Sequence, residues 1–181
     1  KFLELLQVLS FKLLNIKKLR VTELLEPILE KYCKENFQNS SDVSNKLLEY
    51  KKLLLDANQH MNLIGKSTIE DFDQRHFLDC IQIHEYMNEK NNLTIDLGTG
   101  AGLPGILLSI IGYKNLHLVE KSPKKSAFLE SCKLRLGLDY VIHNKSLNDV
   151  SIPSAQYIVA RAFAPISKIL NFTKQIVTNQ T

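Results

Sequence analysis

The stretch Ile95-Asp-Leu-Gly-Thr-Gly-Ala-Gly-Leu-Pro-Gly105 decides the fold of this 181-residue chain. It follows a short apolar run over 93–97 and leads into an apolar segment that has helical character. Glycines are needed where a backbone turns sharply, or where it approaches a ligand without a Cβ atom in the way. The stretch therefore predicts a tight strand-to-helix turn that faces a ligand.

Strand-like and helix-like segments alternate on both sides of this turn. Besides 93–97, strands are predicted at 115–119, 140–143 and 157–160, and helices at 104–112, 122–136 and 166–177. Pro123 fits the first turn of the second of these helices, and Gly137 fits its end. Strands that alternate with helices form parallel βαβ units. We therefore predict an α/β fold with a doubly wound, mostly parallel sheet, whose ligands lie at the carboxyl ends of the strands.

The chain before residue 89 has a helical pattern instead. Apolar residues recur every three or four positions at 2–16, 21–32 and 43–59, with a polar loop at 36–42. Ser67-Thr-Ile-Glu70 predicts a capping box that begins a further helix. We accordingly predict two regions, a helical N-terminal region over 1–88 and an α/β core over 89–181.

The positive charge of the chain is concentrated in its second half. The net charge is +4, but residues 1–91 hold 13 basic and 14 acidic residues, whereas 92–181 hold 10 and 5. Residues 121–135 alone carry five basic side chains against Glu130. Such a surplus favours an anionic partner such as nucleic acid, although a solvated helix face would have the same composition.

Several function classes are disfavoured by composition. Cys33, Cys80 and Cys132 are odd in number and lack CxxC spacing, so neither a disulfide framework nor a zinc site is expected. The apolar runs are shorter than a membrane span, and no signal-peptide cleavage pattern is present. We expect a cytoplasmic protein with no metal and no membrane association.

The order of residues in the glycine turn distinguishes between ligands. A dinucleotide-binding turn reads GxGxxG or GxGxxA, but Leu103 occupies the last of those positions. An acidic residue, Asp96, followed by GxGxG is instead the arrangement of S-adenosylmethionine-dependent methyltransferases. There the loop wraps the amino-acid end of the cofactor, and the carboxylate helps bind its ammonium group directly or through water.

A second acidic residue supports the same reading. Glu120 ends the next strand-like run, 22 residues after Gly98, where a carboxylate can accept both hydroxyls of a ribose. A carboxylate that simply stabilises a helix N-terminus would occupy the same place.

Four motifs resemble one family. They are Asn62-Leu-Ile64, Arg75-His-Phe-Leu-Asp-Cys80, the loop from Asp96 to Gly105, and Arg161-Ala-Phe-Ala164, in matching order over about 43–165. Together they resemble RsmG, also called glucose-inhibited division protein B (GidB), the bacterial 16S ribosomal RNA guanine-N7 methyltransferase family. The resemblance implies a Rossmann-like fold with S-adenosylmethionine as cofactor and S-adenosylhomocysteine as product.

The motifs and the resemblance together assign the site residues. The family roles of Leu103, Ser146, Leu147 and Arg161 come from the resemblance alone, and the family usually has an acidic residue where Leu147 stands. Nine residues are expected to bind the cofactor: Asp96, Gly98, Gly100, Gly102, Leu103, Glu120, Ser146, Leu147 and Arg161. Five are expected to bind RNA: Arg75, Lys121, Lys124, Lys125 and Lys145.

The expected chemistry needs no general base, because guanine N7 has a free lone pair. Arg161 is accordingly expected to be a catalytic residue that positions the reactants. Two other base-methylation chemistries are disfavoured. Exocyclic-amine methyltransferases usually have an Asn/Asp-Pro-Pro-Tyr motif, which is replaced here by Arg161-Ala-Phe-Ala. Methylation at carbon 5 of a pyrimidine needs a nucleophilic cysteine, commonly after a proline, and no cysteine here follows a proline. Guanine N7 is inaccessible in a regular RNA helix, so we expect an irregular target.

The resemblance also implies the partner, which is 16S ribosomal RNA or a precursor of the small subunit, bound by a monomer. Two alternatives stay open. The protein could methylate a small molecule or a protein, or it could bind the cofactor without catalysis. The second follows from the expectation that the C-terminal strands are truncated, because the family continues past the Arg-Ala-Phe-Ala helix whereas this sequence ends at Thr181.

Overall fold

A four-stranded parallel sheet forms the centre of the computed structural model, which describes residues 25–151 and 154–173. The strands are β1 (Thr94–Leu97), β2 (Leu116–Val119), β3 (Val141–His143) and β4 (Tyr157–Val159), in the order β3-β2-β1-β4. All neighbouring pairs are parallel. The predicted α/β sheet is therefore confirmed, and its topological switch point lies between β1 and β4, where such sheets bind ligands.

Helices of different lengths surround the sheet. They are α1 (Pro27–Asn36), α2 (Ser40–Met61), α3 (Asp79–Ile81), α4 (Gly105–Ile110), α5 (Pro123–Leu136) and α6 (Ile166–Thr173). A π-helical segment (Asp73–Leu78) precedes α3 and a 3₁₀ segment (Gln82–Tyr86) follows it. Short 3₁₀ turns occur at Lys66–Thr68 and Leu147–Asp149.

The two faces of the sheet bury different partners. On one face, Leu116 and Leu118 join a large apolar cluster with residues of α1, α2, α4 and α5. On the other face, Ile95, Leu97 and Val119 form a smaller cluster, against which Ile169 and Phe172 of α6 pack. Alternation of side chains along a strand sends successive residues to opposite faces. Because helices cover the two faces of the sheet, the loops that follow the strands form its carboxyl edge.

A buried ion pair ties α2 to the π-helical segment. Lys51 Nζ lies 2.7 Å from Asp73 Oδ1, and both side chains are almost completely buried. Asp73 Oδ2 also accepts a hydrogen bond from the Glu26 amide at 2.6 Å. A buried charge needs such a partner, because removing one member leaves the other desolvated and unpaired. The pair therefore fixes the packing of three neighbouring segments.

Several predicted boundaries are confirmed, and others were wrong. α5 has the expected first-turn Pro123 and a left-handed Gly137 at its end. The loop predicted at 36–42 is shorter because α2 begins at Ser40. The capping box at Ser67 was wrong: the Thr68 hydroxyl donates to the Gly65 carbonyl in a 3₁₀ turn instead, and the next helical segment begins only at Asp73.

Part of the predicted N-terminal region lies outside the described residues. The helix expected at 2–16 is among them, as are the first residues of the helix expected at 21–32; in the described part, α1 begins at Pro27. The end of the helix expected at 166–177 also lies outside, beyond Thr173. The division of the chain at residue 88 stays a prediction.

Candidate functional site

The carboxylate of Asp96 organises the glycine loop from within. Its Oδ2 atom accepts a hydrogen bond from the Thr99 hydroxyl at 2.6 Å and another from the Gly105 amide at 2.8 Å. Gly105 is required there, because a Cβ atom would lie 2.8 Å from Asp96 Oδ2 and would overlap a methyl carbon of Leu118. One oxygen thus joins the end of β1, the loop and the start of α4.

Burial dominates the electrostatics of Asp96. Its side chain is completely buried, and this raises the pKa of the carboxyl to about 6, although the bonds from Thr99 and Gly105 act in the opposite direction. The Oδ1 atom is also buried and has no hydrogen-bond partner among the described residues. The carboxylate points into the loop that it holds. Asp96 is not part of the cavity lining at this edge of the sheet, and its expected contact with a ligand ammonium group, directly or through water, stays a prediction.

Glu120 holds the same loop from the neighbouring strand. It follows β2 directly, and its Oε2 accepts a hydrogen bond from the Gly100 amide at 3.0 Å while Oε1 accepts one from the Ser122 amide at 2.8 Å. The side chain is mostly buried but lines a cavity. A carboxylate oxygen has lone pairs for two acceptor bonds, so each oxygen of Glu120 keeps one for a ligand.

This carboxyl-edge cavity has a volume of about 750 Å³, within the usual range for ligand pockets. It brings together five of the predicted cofactor-binding residues and three of the predicted RNA-binding residues: Gly98, Gly100, Glu120, Ser146 and Leu147, with Lys121, Lys125 and Lys145. The lining residues that the sequence reasoning missed include Asn148, Phe163, Lys168, Asn171 and Phe172. Of these, only Phe163 belongs to one of the four family motifs.

Other predicted residues lie elsewhere. Gly102 and Leu103 are buried in the loop and do not line the carboxyl-edge cavity. Lys124 is exposed on α5 but is also outside the lining. Arg75 and Arg161 line a separate depression, the arginine groove, formed with Thr68, Asp71, Gln74, His76 and Asp79. Arg161 therefore lines the arginine groove and not the carboxyl-edge cavity, and its expected place beside the cofactor stays a prediction.

Arg161 is bound instead to the π-helical segment. Its Nη2 atom donates to the Arg75 carbonyl at 3.1 Å and to His76 Nδ1 at 2.8 Å. Arginine has no acceptor, so Nδ1 is the acceptor and the imidazole carries its proton on Nε2. That Nε2–H faces the Thr68 hydroxyl at 2.7 Å, which in turn donates to the Gly65 carbonyl. This chain of bonds fixes the turn after β4 on the helical region.

The imidazole of His76 is held in its neutral form. Burial, and then the positive charges of Arg161 and Arg75, lower its pKa to about 4, while Asp79 acts in the opposite direction. A neutral imidazole is also what the geometry requires, because a protonated Nδ1 could not accept from the guanidinium.

The turn after β4 reaches back over the glycine loop. Ala162 has a left-handed backbone with φ of 49°, and the ring of Phe163 packs directly on Gly98. Gly98 itself has φ of +66°, and a Cβ atom there would overlap the Phe163 ring. Gly98 is therefore constrained both by its backbone conformation and by the ring above it.

The chain is similar to known proteins over most of its length. A family model described as "rRNA small subunit methyltransferase G" (GidB) matches residues 43–181. The chain belongs to this family. It is 37% identical over 140 residues to the ribosomal RNA small subunit methyltransferase G of Orientia tsutsugamushi (strain Boryong), covering 77% of this chain and 70% of that relative. The corresponding protein of Rickettsia akari (strain Hartford) is 35% identical over 137 residues, with 76% and 71% coverage.

A solved structure gives the same fold for this GidB family member. Coclaurine N-methyltransferase, in a crystal structure bound to N-methylheliamine and SAH, superposes with a TM-score of 0.51 at 15% identity, over 99% of this chain and 62% of that one. At that identity the likeness concerns the fold alone. The Rossmann-like methyltransferase fold and the resemblance to the GidB family are thus confirmed. Within the described residues, no helix is long and apolar enough to cross a membrane.

Two glycines with similar backbones allow the Gly98–Phe163 contact to be tested. Gly137 has φ of +60° but nothing within 4 Å of an added Cβ, so Gly137→Ala introduces only left-handed strain, about 1–2 kcal/mol. Gly98→Ala adds overpacking against Phe163, and we expect it to lower the free energy of unfolding by at least about 1 kcal/mol more. Urea unfolding of both variants measures the difference. Equal losses would mean that the ring does not restrict this position.

The depressed pKa of His76 predicts a pH-dependent stability. The unfolded imidazole titrates near 6.5 and the folded one near 4, so between these values the unfolded state binds more protons. The stability that His76 contributes is therefore complete above about pH 6.5 and is lost as the pH falls toward 4. We expect wild type to lose stability relative to His76→Gln over this window, measured by urea unfolding at each pH. Asp96, whose raised pKa acts in the opposite direction, cancels in the comparison. A difference that does not vary with pH would contradict the assignment.

Proposed function

We propose that this protein transfers the methyl group of S-adenosylmethionine to N7 of one guanine in 16S ribosomal RNA, by direct in-line displacement. The observation that carries the proposal is the carboxyl-edge cavity, where a mostly buried carboxylate and four lysines line the same space. A carboxylate suits the ribose of an adenosine cofactor, and the lysines suit a phosphate backbone. Membership of an rRNA small subunit methyltransferase family supports the same pairing.

The lining residues fit the cofactor along its length. In this proposal, the free lone pairs of Glu120 accept the ribose hydroxyls, and Ser146 and Leu147 flank the adenine. Gly100 lets the amino-acid end approach the backbone, because its Cβ position is free of side chains within 4 Å, whereas the Cβ side of Gly98 is covered by Phe163. Asp96 acts indirectly by holding the loop. The crystal structure of coclaurine N-methyltransferase, a protein of the same fold, contains bound SAH.

The proposed reaction needs no general acid or general base. The sulfonium cofactor supplies an activated methyl group when it is bound, and guanine N7 attacks with a lone pair that carries no proton. The protein therefore contributes alignment of the nucleophile with the methyl carbon, together with exclusion of water. Arg161 acts indirectly as a positioning residue, because its bonds to Arg75 and His76 fix the turn that carries Phe163.

The lysines around the cavity are proposed to hold the RNA backbone. Lys121, Lys145 and Lys168 are exposed and Lys125 is half-buried, and all four line the cavity that contains Glu120. Lys124 and Arg75 would contribute at a greater distance. Such phosphate contacts provide affinity and orientation but do not read sequence. The choice of guanine must then come from the shape of the RNA, in an irregular region where N7 is accessible.

The reaction can be tested with purified wild-type protein, labelled cofactor, and either 16S ribosomal RNA or the assembled small subunit. We expect the label in 16S RNA, at a single N7-methylguanosine whose position is located by cleavage of the RNA strand at that nucleotide. Glu120→Ala should abolish the label because the cofactor loses its ribose acceptor. Label at another atom, or on 23S RNA equally, would contradict the assignment, and label only on protein or small molecules would favour the alternative methyltransferase.

Salt dependence tests the lysines separately from the chemistry. Each phosphate contact to single-stranded nucleic acid contributes about 0.7 to the slope of log association constant against log salt. The double variant Lys125→Gln/Lys145→Gln should therefore flatten the slope for 16S RNA by about 1.4. The matched control is Lys31→Gln/Lys34→Gln, which removes two exposed lysines on α1 that pair with Glu35 and Glu30. An unchanged slope in the cavity variant, or an equal change in the control, would contradict the proposed surface.

A further inference from the structure

The turn after β4 presents an aromatic ring to the carboxyl-edge cavity. Phe163 is half-buried and lines that cavity, and its ring packs on Gly98 and against the smaller apolar cluster. Glu120 follows β2, Gly98 follows β1 and Phe163 follows β4, in the order of these strands across the sheet. Glu120 and Phe163 therefore lie on opposite sides of the glycine loop. A cofactor whose ribose binds Glu120 and whose amino-acid end lies over Gly100 would therefore share the cavity with the ring.

The orientation of this ring is built into the fold. Ala162 holds a left-handed backbone that is uncommon outside glycine, and such conformations persist only where the surroundings impose them. On one side the surroundings are the bonds from Arg161 to Arg75 and His76; on the other they are the contact of Phe163 with Gly98. The structure thus fixes both ends of a strained residue, and the result is a ring at the cavity wall.

We propose that Phe163 is the platform on which the target guanine stacks when it enters the cavity. This inference rests on the proposed function. Unstacked RNA bases are commonly held on aromatic side chains, because every base has a π-face that such a ring can cover. An enzyme that acts on a base must take it out of its stack, and a ring in the pocket offsets part of the lost stacking.

Phe172 provides an internal comparison. It lines the same cavity and, like Phe163, packs against the smaller apolar cluster, but it lies on α6. It is not the ring that covers Gly98. If any aromatic side chain in the lining served equally, the two phenylalanines would behave alike; a stacking platform beside the glycine loop makes Phe163 the specific one.

The test compares Phe163→Leu, Phe163→Tyr and Phe172→Leu with wild type. Leucine keeps apolar packing but removes the ring face, whereas tyrosine keeps it. Two quantities are measured: the dissociation constant for S-adenosylhomocysteine by calorimetry, and kcat/KM for methylation of 16S ribosomal RNA. We expect Phe163→Leu to lose at least tenfold in kcat/KM while cofactor affinity stays within about threefold. Phe163→Tyr should stay within about threefold of wild type in both measurements, and Phe172→Leu should lose less kcat/KM than Phe163→Leu.

Other outcomes would overturn the inference in recognisable ways. If Phe163→Leu methylates RNA like wild type, or if it loses cofactor affinity in proportion to its rate, Phe163 supports the glycine loop rather than the base. If Phe163→Tyr is as impaired as Phe163→Leu, the ring face is not what matters. A wild-type protein that binds the cofactor but methylates no RNA would overturn the proposed function itself, and the stacking role with it.

Discussion

The candidate site depends on one oxygen atom, Oδ2 of Asp96. By accepting from the Thr99 hydroxyl and the Gly105 amide, it closes the loop between β1 and α4. Glu120 adds a bond to the Gly100 amide from the adjacent strand, so the loop is anchored at three points by two carboxylates. Loops that carry function are usually positioned by a rigid scaffold in this way. The cavity has its shape because these anchors set the path of the backbone.

The two carboxylates have separate roles because their surroundings differ. Asp96 is completely buried, which raises the pKa of the group to about 6, and its described bonds stay inside the loop. Glu120 is mostly buried as well, but it lines the cavity and keeps acceptor capacity toward it. Burying a charge without full pairing is costly. At Asp96, the free-energy cost of burial is offset only in part, by the two hydrogen bonds that close the loop. Glu120, after the neighbouring strand, is the carboxylate that can accept hydrogen bonds from a ligand.

The parts of the molecule that follow local rules could be predicted from the sequence. The four strands and α5 were found from apolar runs and from Pro123 and Gly137, and the acidic residue before the glycines indicated the class of site. Local rules failed where distant contacts compete with them. Thr68 binds a carbonyl and a histidine instead of beginning a helix, and Arg161 binds residues 85 and 86 positions away. No pattern in the sequence shows where such a side chain points, and for the same reason no role could be predicted for the ring of Phe163.

If a loop held by Asp96 forms the cofactor site, calorimetric titration of S-adenosylhomocysteine tests it most directly. Wild type should bind one equivalent saturably, and Asp96→Ala should bind at least about tenfold more weakly. The Asp96→Ala variant should still unfold cooperatively, because the Lys51–Asp73 ion pair and the sheet core are unchanged. The Asp96→Asn variant should lie between them, because an amide oxygen can accept from Thr99 and Gly105 but its amide nitrogen is buried without an acceptor. No saturable binding to wild type, or equal binding to all three folded proteins, would contradict the account.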